Sequence, residues 1–390
     1  MKILFIQCFD KPGGQSNRSY LFAKKLDKIG RDVHFFTNRY NHLDAHAKYT
    51  AELNKDNNIK HIFAENDYFK NNKYLSVIFN CFAIIKTLRK EHFDIIIGPS
   101  VPLLNSFFAL IAKNKKTKFI FEIRDVWPDA LVFNGTISKL NPIYIILKII
   151  EIIIYKNADG LISVLPKTFN YVRKYNKELP QIYLPNCYDS YPRYKKIFNK
   201  DKLKIIYIGR FNSNHDIEII LKSAQYLLYE KNIKNITFDI YGYGEKLDLI
   251  KKYKYDNKII NLNLKGKISK NDIYTVSKKY DLALCAITNS KSHQWGTNLN
   301  KIYEYLNSSL PVIFSGNVPS NPVTMARCGF VCDNFNYKDL SNKIIMFSKL
   351  KENEKIKLSN NAKDFFDTNY YIEHQIALLN KFIYKICSSN

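Results

Sequence analysis

Short apolar runs with the length of buried strands alternate with longer helical patterns along the whole chain, and this alternation limits the fold more than any other feature. In the first half, strand-like runs stand at Lys2–Gln7, Val33–Thr37, Ile95–Gly98, Lys118–Phe121, Gly160–Val164 and Gln181–Leu184. Helical patterns fall between them at Gln15–Ile29, Leu75–Lys90, Val101–Ala112, Leu140–Lys156 and Pro166–Tyr175. Strands that are apolar throughout and separated by helices make a parallel, doubly wound sheet. The polar stretch Asn38–Lys73 reads as a long, ragged loop. The character changes over Pro185–Asp201, where Tyr, Lys, Asn and Pro dominate, as in a linker. A second series then begins at Lys204–Gly209 and continues at Thr237–Tyr241, Ile259–Leu262, Leu282–Ala286, Pro311–Phe314 and Phe330–Cys332. The pattern over Asp339–Ile386 is helical. At 390 residues the chain is too long for one core. The expected fold is α/β, with two tandem Rossmann-like doubly wound domains and a cleft between them. Their expected bounds are 1–190 and 200–370, with a C-terminal helix at 371–390.

The formal net charge of +25 suggests an acidic partner. The excess is carried by 51 Lys against nine Arg, spread along the chain rather than clustered. A nucleic-acid binder more often shows Arg-rich clusters or a basic stripe, so an anionic membrane surface fits better than nucleic acid. The longest apolar run, Ile143–Tyr155, is too short to cross a bilayer and carries Lys148 and Glu151. It reads as a buried helix, or as partial membrane contact with a basic rim from Lys86, Lys90, Lys113, Lys115, Lys116, Lys118 and Lys139. Seven cysteines show no C-x-x-C and no zinc-ligand spacing, as expected for reduced thiols of a cytoplasmic protein. The chain opens directly on a strand, with no pattern of a secretory leader. No D-x-D, Walker loop, H-E-x-x-H or G-x-S-x-G stands in the sequence, and no metal site is expected.

Polar groups gather at strand ends, where open parallel sheets place ligands. After strand one come Gly13 and Gly14, either a close approach of backbone to ligand or a plain tight turn. Strand two ends in Thr37-Asn38-Arg39 without the acidic residue a nicotinamide cofactor needs. The fourth strand ends in Glu122, Arg124, Asp125, Trp127 and Pro128, a ligand cluster or a surface salt bridge. The second domain opens on Gly209 and Arg210, whose guanidinium suits a diphosphate or an ordinary ion pair. A loose G-x-G follows at Gly242 and Gly244. The stretch Gly296–Leu306, which includes Asn298, reads as a loop entering a helix. Asn300 and Lys301 would sit at the helix start, where free N–H groups and the dipole favour an anion. Glu304 shares a face with Asn300 (i, i+4) and could accept from a ribose diol. The plainer alternative is an amphipathic helix with a solvated Lys and Glu.

Together these pieces resemble a retaining glycosyltransferase of family 4, with the GT-B fold. The resemblance rests on Gly13-Gly14 with Ser16–Tyr20, on Glu122–Pro128, on Ile208–Phe211, and on Asn300–Leu306 with Pro311-Val-Ile. The Arg124-Asp125-Val-Trp127-Pro128 piece is similar to the subgroup that builds bacterial O-antigen, capsule and N-acetylated deoxysugar polymers. The resemblance implies a metal-independent hexosyltransferase with a nucleoside-diphosphate sugar, UDP-linked, as donor substrate and no other cofactor. It places Glu304 on the ribose, and Arg210, Asn300 and Lys301 on the diphosphate, with Asn298 and Gly242 in the same site. Gly13 and Gly14 would approach the donor phosphate from the other domain, and Arg124 and Asp125 would lie near the reacting sugar. The catalytic set it implies is Asp125, Arg124, Arg210 and Lys301. A polyprenyl-diphosphate-linked saccharide would be the acceptor, at the cytoplasmic face of the membrane. Two positions depart from the family. Gly296 stands eight before Glu304, where a second glutamate is common, and His215 stands where a lysine often follows the arginine. The competing readings are a nucleotide-sugar epimerase or soluble glucan synthase of the same fold, and a non-catalytic basic binding protein.

Overall fold

A computed structural model describes the chain except for residues 8–17, 39, 42–43, 49–57, 65–72, 213–214, 333–334 and 389–390. The chain divides into two compact units, Met1–Asn186 together with Glu373–Asn390, and Cys187–Ile372.

The first unit contains β1 (Lys2–Ile6), α1 (Arg18–Lys28), β2 (Asp32–Asn38), β3 (Tyr40–Asn41), β4 (Asp44–Lys48), β5 (Lys60–Ala64) and α2 (Lys73–Lys90). It continues with β6 (Ile95–Pro99), α3 (Leu103–Ala112), β7 (Lys118–Ile123), α4 (Asp129–Phe133), α5 (Pro142–Asn157), β8 (Gly160–Ser163), α6 (Thr168–Val172) and β9 (Gln181–Tyr183). Seven of these strands form one parallel sheet in the order β5-β2-β1-β6-β7-β8-β9, and β3 and β4 pair as a small antiparallel ribbon. The apolar runs explain the arrangement. Ile95, Ile96 and Ile97 on β6 and Phe119, Ile120 and Phe121 on β7 are all buried, because helices cover both faces of a parallel sheet.

The second unit contains β10 (Leu203–Arg210), α7 (Ile217–Tyr229), β11 (Ile236–Tyr243), α8 (Leu247–Asp256), β12 (Leu262–Gly266), α9 (Ile273–Ser277), β13 (Leu282–Ala286) and α10 (Asn300–Asn307). After these come β14 (Val312–Ser315), α11 (Pro322–Ala326), β15 (Gly329–Cys332), α12 (Tyr337–Lys349) and α13 (Glu352–Asn369). Its parallel sheet runs β12-β11-β10-β13-β14-β15, so the order reverses beside β10. That switch point opens a crevice at the carboxyl ends of the strands. The last helix, α14 (Ile372–Ser388), packs on the first unit. Lys25 pairs with Glu373, and Arg31 donates to Asn380 Oδ1 at 3.0 Å. Gly160 on β8 makes room for it, since a Cβ there would lie 3.0 Å from Phe382 and Ile386.

Several sequence expectations shift. The stretch Asn38–Lys73 is not one loop: Lys60–Ala64 forms β5, the edge strand of the first sheet, pairing in parallel with β2. Its polar and aromatic residues, Lys60, His61 and Phe63, hide an edge strand that needs little burial. The strand expected at Ile259–Leu262 lies at Leu262–Gly266, because Ile259 closes the turn after α8 by donating to Lys254 O. The helical tail is three helices rather than one pattern. Among the described residues, no helix is long and apolar enough to cross a membrane.

Candidate active site

In the second unit the site is built on the switch point. Helix α10 begins at Asn300, and Leu299 before it offers no side-chain cap, so the first-turn N–H groups lack side-chain acceptors at the cap position. Lys301 is only 6% exposed and Glu304 only 9%, which excludes a helix with a solvated Lys and Glu. The Lys301 ammonium donates to Tyr207 Oη at 3.1 Å and lies 4.3 Å from the Tyr207 ring centroid. Among the described residues it forms no ion pair. Gly209 makes its position possible: a Cβ there would come within 2.5 Å of Lys301 Nζ and 2.9 Å of Tyr207 Oη. Burial raises the Glu304 pKa, with Lys270 and Lys301 pulling it back. Among the described residues, nothing donates a hydrogen bond to the Glu304 carboxylate. A buried ammonium without a carboxylate and a buried carboxylate without a donor, one turn apart, are both costly unless a ligand completes them.

The other residues expected in this site take different positions. Arg210 ends β10 exposed, its guanidinium carbon 5.5 Å from the Tyr243 ring centroid, with Lys267 4.5 Å from the same ring. Asn298 Oδ1 accepts from Tyr303 Oη at 2.9 Å, which fixes the loop before α10. Gly242 has a packing reason of its own, because a Cβ there would meet Gly209 O at 2.1 Å and the Phe211 ring at 2.7 Å. His215 is half-buried with Nδ1 2.9 Å from Asn212 Oδ1, and burial together with Lys301 and His293 pushes its pKa down to about 3. Tyr207 and His293 were given no role in the sequence, and Gly209 was named there only beside Arg210. Tyr207, inside an apolar strand, and His293, in a polar loop, carried no signal that could have marked them.

In the first unit the polar cluster after β7 centres on Glu122, which is buried. Arg18 Nε and Arg124 Nε each donate to it at 3.0 Å, and Gln7 Nε2 donates at 3.2 Å. Arg124 also reaches Ser19 Oγ, and Arg18 reaches the Pro185 carbonyl. Burial alone would raise the Glu122 pKa, but the two guanidinium groups overcome it and hold the pKa near 2. Ser100 Oγ accepts from the Arg124 N–H at 3.1 Å and pins the strand end. Arg124 is therefore anchored inward. Asp125 is exposed at the surface, yet the surrounding protein mass withdraws enough solvation to raise its pKa to about 6 against the pull of Arg124. Just beyond, Asp129 accepts from Tyr144 at 2.6 Å and from Lys148 at 3.0 Å, and Lys148 also pairs with the buried Glu151 at 2.7 Å. The two charges in the apolar run thus face inward and hold α5 to the segment after β7. Gly13 and Gly14 lie outside the described residues. Among the described residues, no cluster of three or more His, Cys, Asp or Glu is arranged to hold a metal ion.

Each unit holds one parallel sheet with helices between its strands, the two Rossmann-like halves of a GT-B fold. Residues 192–365 match the family model described as glycosyl transferases group 1, and residues 12–190 match the model described as glycosyltransferase family 4. The chain belongs to the family 4 glycosyltransferases of GT-B fold. No curated protein matches it by sequence. Among solved structures it is similar to sucrose-phosphate synthase from Thermosynechococcus elongatus (TM-score 0.76, 13% identity, 100% of each chain covered). It is also similar to HepE of Anabaena, solved in complex with UDP and glucose (TM-score 0.67, 14% identity, 100% of each chain). A third is WaaG, a glycosyltransferase involved in lipopolysaccharide biosynthesis (TM-score 0.67, 15% identity, 100% of each chain). At these identities the likeness concerns the fold.

Proposed function

We propose that this glycosyltransferase moves a sugar from uridine diphosphate (UDP) to a lipid-linked saccharide of a bacterial surface polysaccharide, with retained configuration and without a metal ion. One observation carries the donor half: Lys301 and Glu304 are buried one turn apart on α10, the first with no carboxylate and the second with no hydrogen-bond donor among the described residues. A nucleoside diphosphate completes both, with phosphate on Lys301 and the α10 N–H groups and the ribose diol on Glu304. That one structural neighbour was solved with UDP and glucose, and another acts in lipopolysaccharide biosynthesis, supports this choice of ligand.

Charge builds on the departing diphosphate and on an oxocarbenium-like sugar. Lys301 and the start of α10 stabilise the leaving group, with the exposed Arg210 as an outer cation. Each charged donor of this kind contributes roughly 2–4 kcal/mol to lowering the barrier. A leaving phosphate oxygen takes the acceptor proton on the same face, and Asp125 orients the acceptor hydroxyl. We assign no covalent nucleophile.

The first unit supports the membrane side of this reading. Helix α5 is apolar on two faces: Tyr144, Leu147, Ile150 and Ile154 are buried, whereas Ile143, Ile146, Ile149 and Ile153 form an exposed stripe. Ile111 on α3 and Phe82 on α2 are also exposed, and α3 packs against both α2 and α5. A patch of this kind on a basic chain suits the inner face of an anionic bilayer, where a polyprenyl-linked acceptor would lie. Lys86 and Lys139 are exposed beside it, whereas Lys113 and Lys118 face Asp159.

The test is UDP release from a panel of UDP-sugars, with and without bacterial polar lipid extract, and an NMR assignment of the product anomer. Lipid-dependent release with retained configuration is expected. Release of free sugar without any lipid would instead indicate a hydrolysing epimerase. Vesicle flotation that survives both high salt and Ile146→Lys/Ile149→Lys would sink the membrane assignment.

A further inference from the structure

We infer that α5 registers the acceptor-orienting carboxylate against the lipid surface. The inner face of the helix holds Asp129, four residues past Asp125, while its outer face rests on the bilayer. Tyr144, Lys148 and Glu151 are then positioning residues for the acceptor step. This rests on the acceptor and membrane readings above and adds to them a set of residues and a geometric role.

Tyr144, Lys148, Glu151 and Tyr155 follow at i, i+4, i+7 and i+11, so they share one face of α5. Tyr144 Oη donates to Asp129 Oδ1 at 2.6 Å, and Lys148 Nζ donates to Asp129 Oδ2 at 3.0 Å. The same ammonium pairs with Glu151 at 2.7 Å and reaches the Tyr171 hydroxyl on α6. Tyr155 Oη donates to Glu151 at 2.8 Å, and Tyr171 Oη lies 3.0 Å from Asp129 Oδ2 and 2.9 Å from Glu151 Oε2. One ammonium thus joins two carboxylates that belong to different elements. Packing does not require such a network, since apolar side chains of similar size are often as stable or more so. What it supplies is a single fixed arrangement of charge-assisted hydrogen bonds between α5 and the segment after β7.

That segment is pinned at both ends. The Arg124 N–H donates to Ser100 Oγ at 3.1 Å, and Asp129 is held by α5. Between the two pins the Trp127 N–H donates to the Asp125 carbonyl at 2.9 Å, and the Ala130 N–H to the Val126 carbonyl at 2.8 Å. Val126 and Pro128 are buried, whereas Asp125 is exposed. Asp125 therefore stands on a tight turn whose place is set by β7 on one side and by α5 on the other. The isoleucine stripe Ile143, Ile146, Ile149 and Ile153 is exposed on α5, away from this polar face. The two faces of a helix are about 10 Å apart. Seating the stripe on a bilayer thus fixes the height of Asp129, and with it that of Asp125, above the lipid. An acceptor anchored in the same bilayer is confined in height, and a misplacement of about 1 Å between reacting groups can cost as much as about a hundredfold in rate.

The experiment uses the full chain carrying Trp295→Phe, which leaves Trp127, inside the positioned turn, as the sole tryptophan. This parent is compared with Lys148→Met/Glu151→Gln, where the glutamine keeps an acceptor for Tyr155 and Tyr171. It is also compared with Tyr144→Phe, which removes one hydrogen bond and leaves the ion pairs in place. The readouts are flotation with vesicles of equimolar phosphatidylglycerol and phosphatidylcholine, nanosecond anisotropy of Trp127 on those vesicles, and UDP release from the UDP-sugar panel with bacterial polar lipid extract. The parent should float, hold Trp127 rigid and release UDP in a lipid-dependent way. Both variants should float and bind UDP like the parent, yet show a larger fast decay of Trp127 anisotropy. Their kcat should fall, by about tenfold or more for the double variant and by less for Tyr144→Phe. Should the double variant fail to fold, Tyr144→Phe decides by the same two readouts. A merely structural network predicts a lower Tm with the Trp127 decay and kcat unchanged, and that result in variants that float overturns the proposal. A parent that does not float removes the membrane reading, and one that floats without lipid-dependent release removes the acceptor reading; either takes this inference with it.

Discussion

Replacing Lys301 by methionine separates a packing lysine from a ligand-binding one, because the two make opposite predictions for stability. The side chain is 6% exposed, its hydrogen-bond partner among the described residues is the Tyr207 hydroxyl at 3.1 Å, and it sits at a helix start whose dipole opposes a cation. An uncompensated buried charge of this kind costs several kcal/mol, and replacing buried charge by an apolar side chain of similar size typically recovers about 1–4 kcal/mol. Methionine has similar length and can lie over the Tyr207 ring, while the Tyr207 hydroxyl loses a donor worth about 1 kcal/mol. The net effect on the unliganded protein is a gain of about 0–3 kcal/mol. For a unit of this size that is about 2–4 °C in Tm per kcal/mol. UDP affinity should fall by about 2–4 kcal/mol, or roughly 30- to 700-fold. Thermal unfolding with and without UDP reads both effects at once: the variant should melt at least as high as wild type when unliganded and lose the ligand-induced rise. An empty variant that melts lower, with the UDP-induced rise intact, would show that Lys301 is a structural residue and refute the reasoning.

Other consequences can be checked separately. Glu122 is held near pKa 2 against an ordinary value of 4.5, so its contribution is fully present above about pH 4.5 and lost as pH falls toward 2. The difference corresponds to about 3 kcal/mol, and Glu122→Gln should flatten acid unfolding across that window. In the proposed mechanism Asp125 orients the acceptor hydroxyl as a carboxylate, and the protein around it raises its pKa to about 6. Turnover should therefore fall as pH drops below about 6, and Asp125→Asn should lower kcat while leaving UDP affinity unchanged. Gly209→Ala places a methyl 2.5 Å from Lys301 Nζ and should displace the ammonium, weakening UDP binding by about tenfold or more with little change in Tm.

Much of the fold was legible because parallel strands buried on both faces leave uninterrupted apolar runs, such as Ile95–Ile97 and Leu282–Ala286. β5 escaped because an edge strand needs burial on few positions, and its Lys60, His61 and Phe63 resemble loop chemistry. In the site, Asn300, Lys301 and Glu304 stood out by their spacing on a helix start. The sequence left open whether Lys301 and Glu304 were solvated, because amphipathic patterning does not say which polar face meets water. Tyr207 was illegible for the opposite reason: inside an apolar strand it reads as core, and only the three-dimensional approach of Lys301 gives its hydroxyl a task. Lys148 and Glu151 looked like interruptions of an apolar helix, whereas they pair inward and leave the isoleucine stripe of α5 as the exposed face.

The most direct test of the donor site is calorimetric titration with UDP and with guanosine diphosphate, wild type beside Glu304→Ala. The account predicts that wild type binds UDP and that the variant, which removes the buried acceptor for the ribose diol, binds it at least tenfold more weakly while remaining folded. Equal UDP binding by both proteins, or none by wild type, would contradict it.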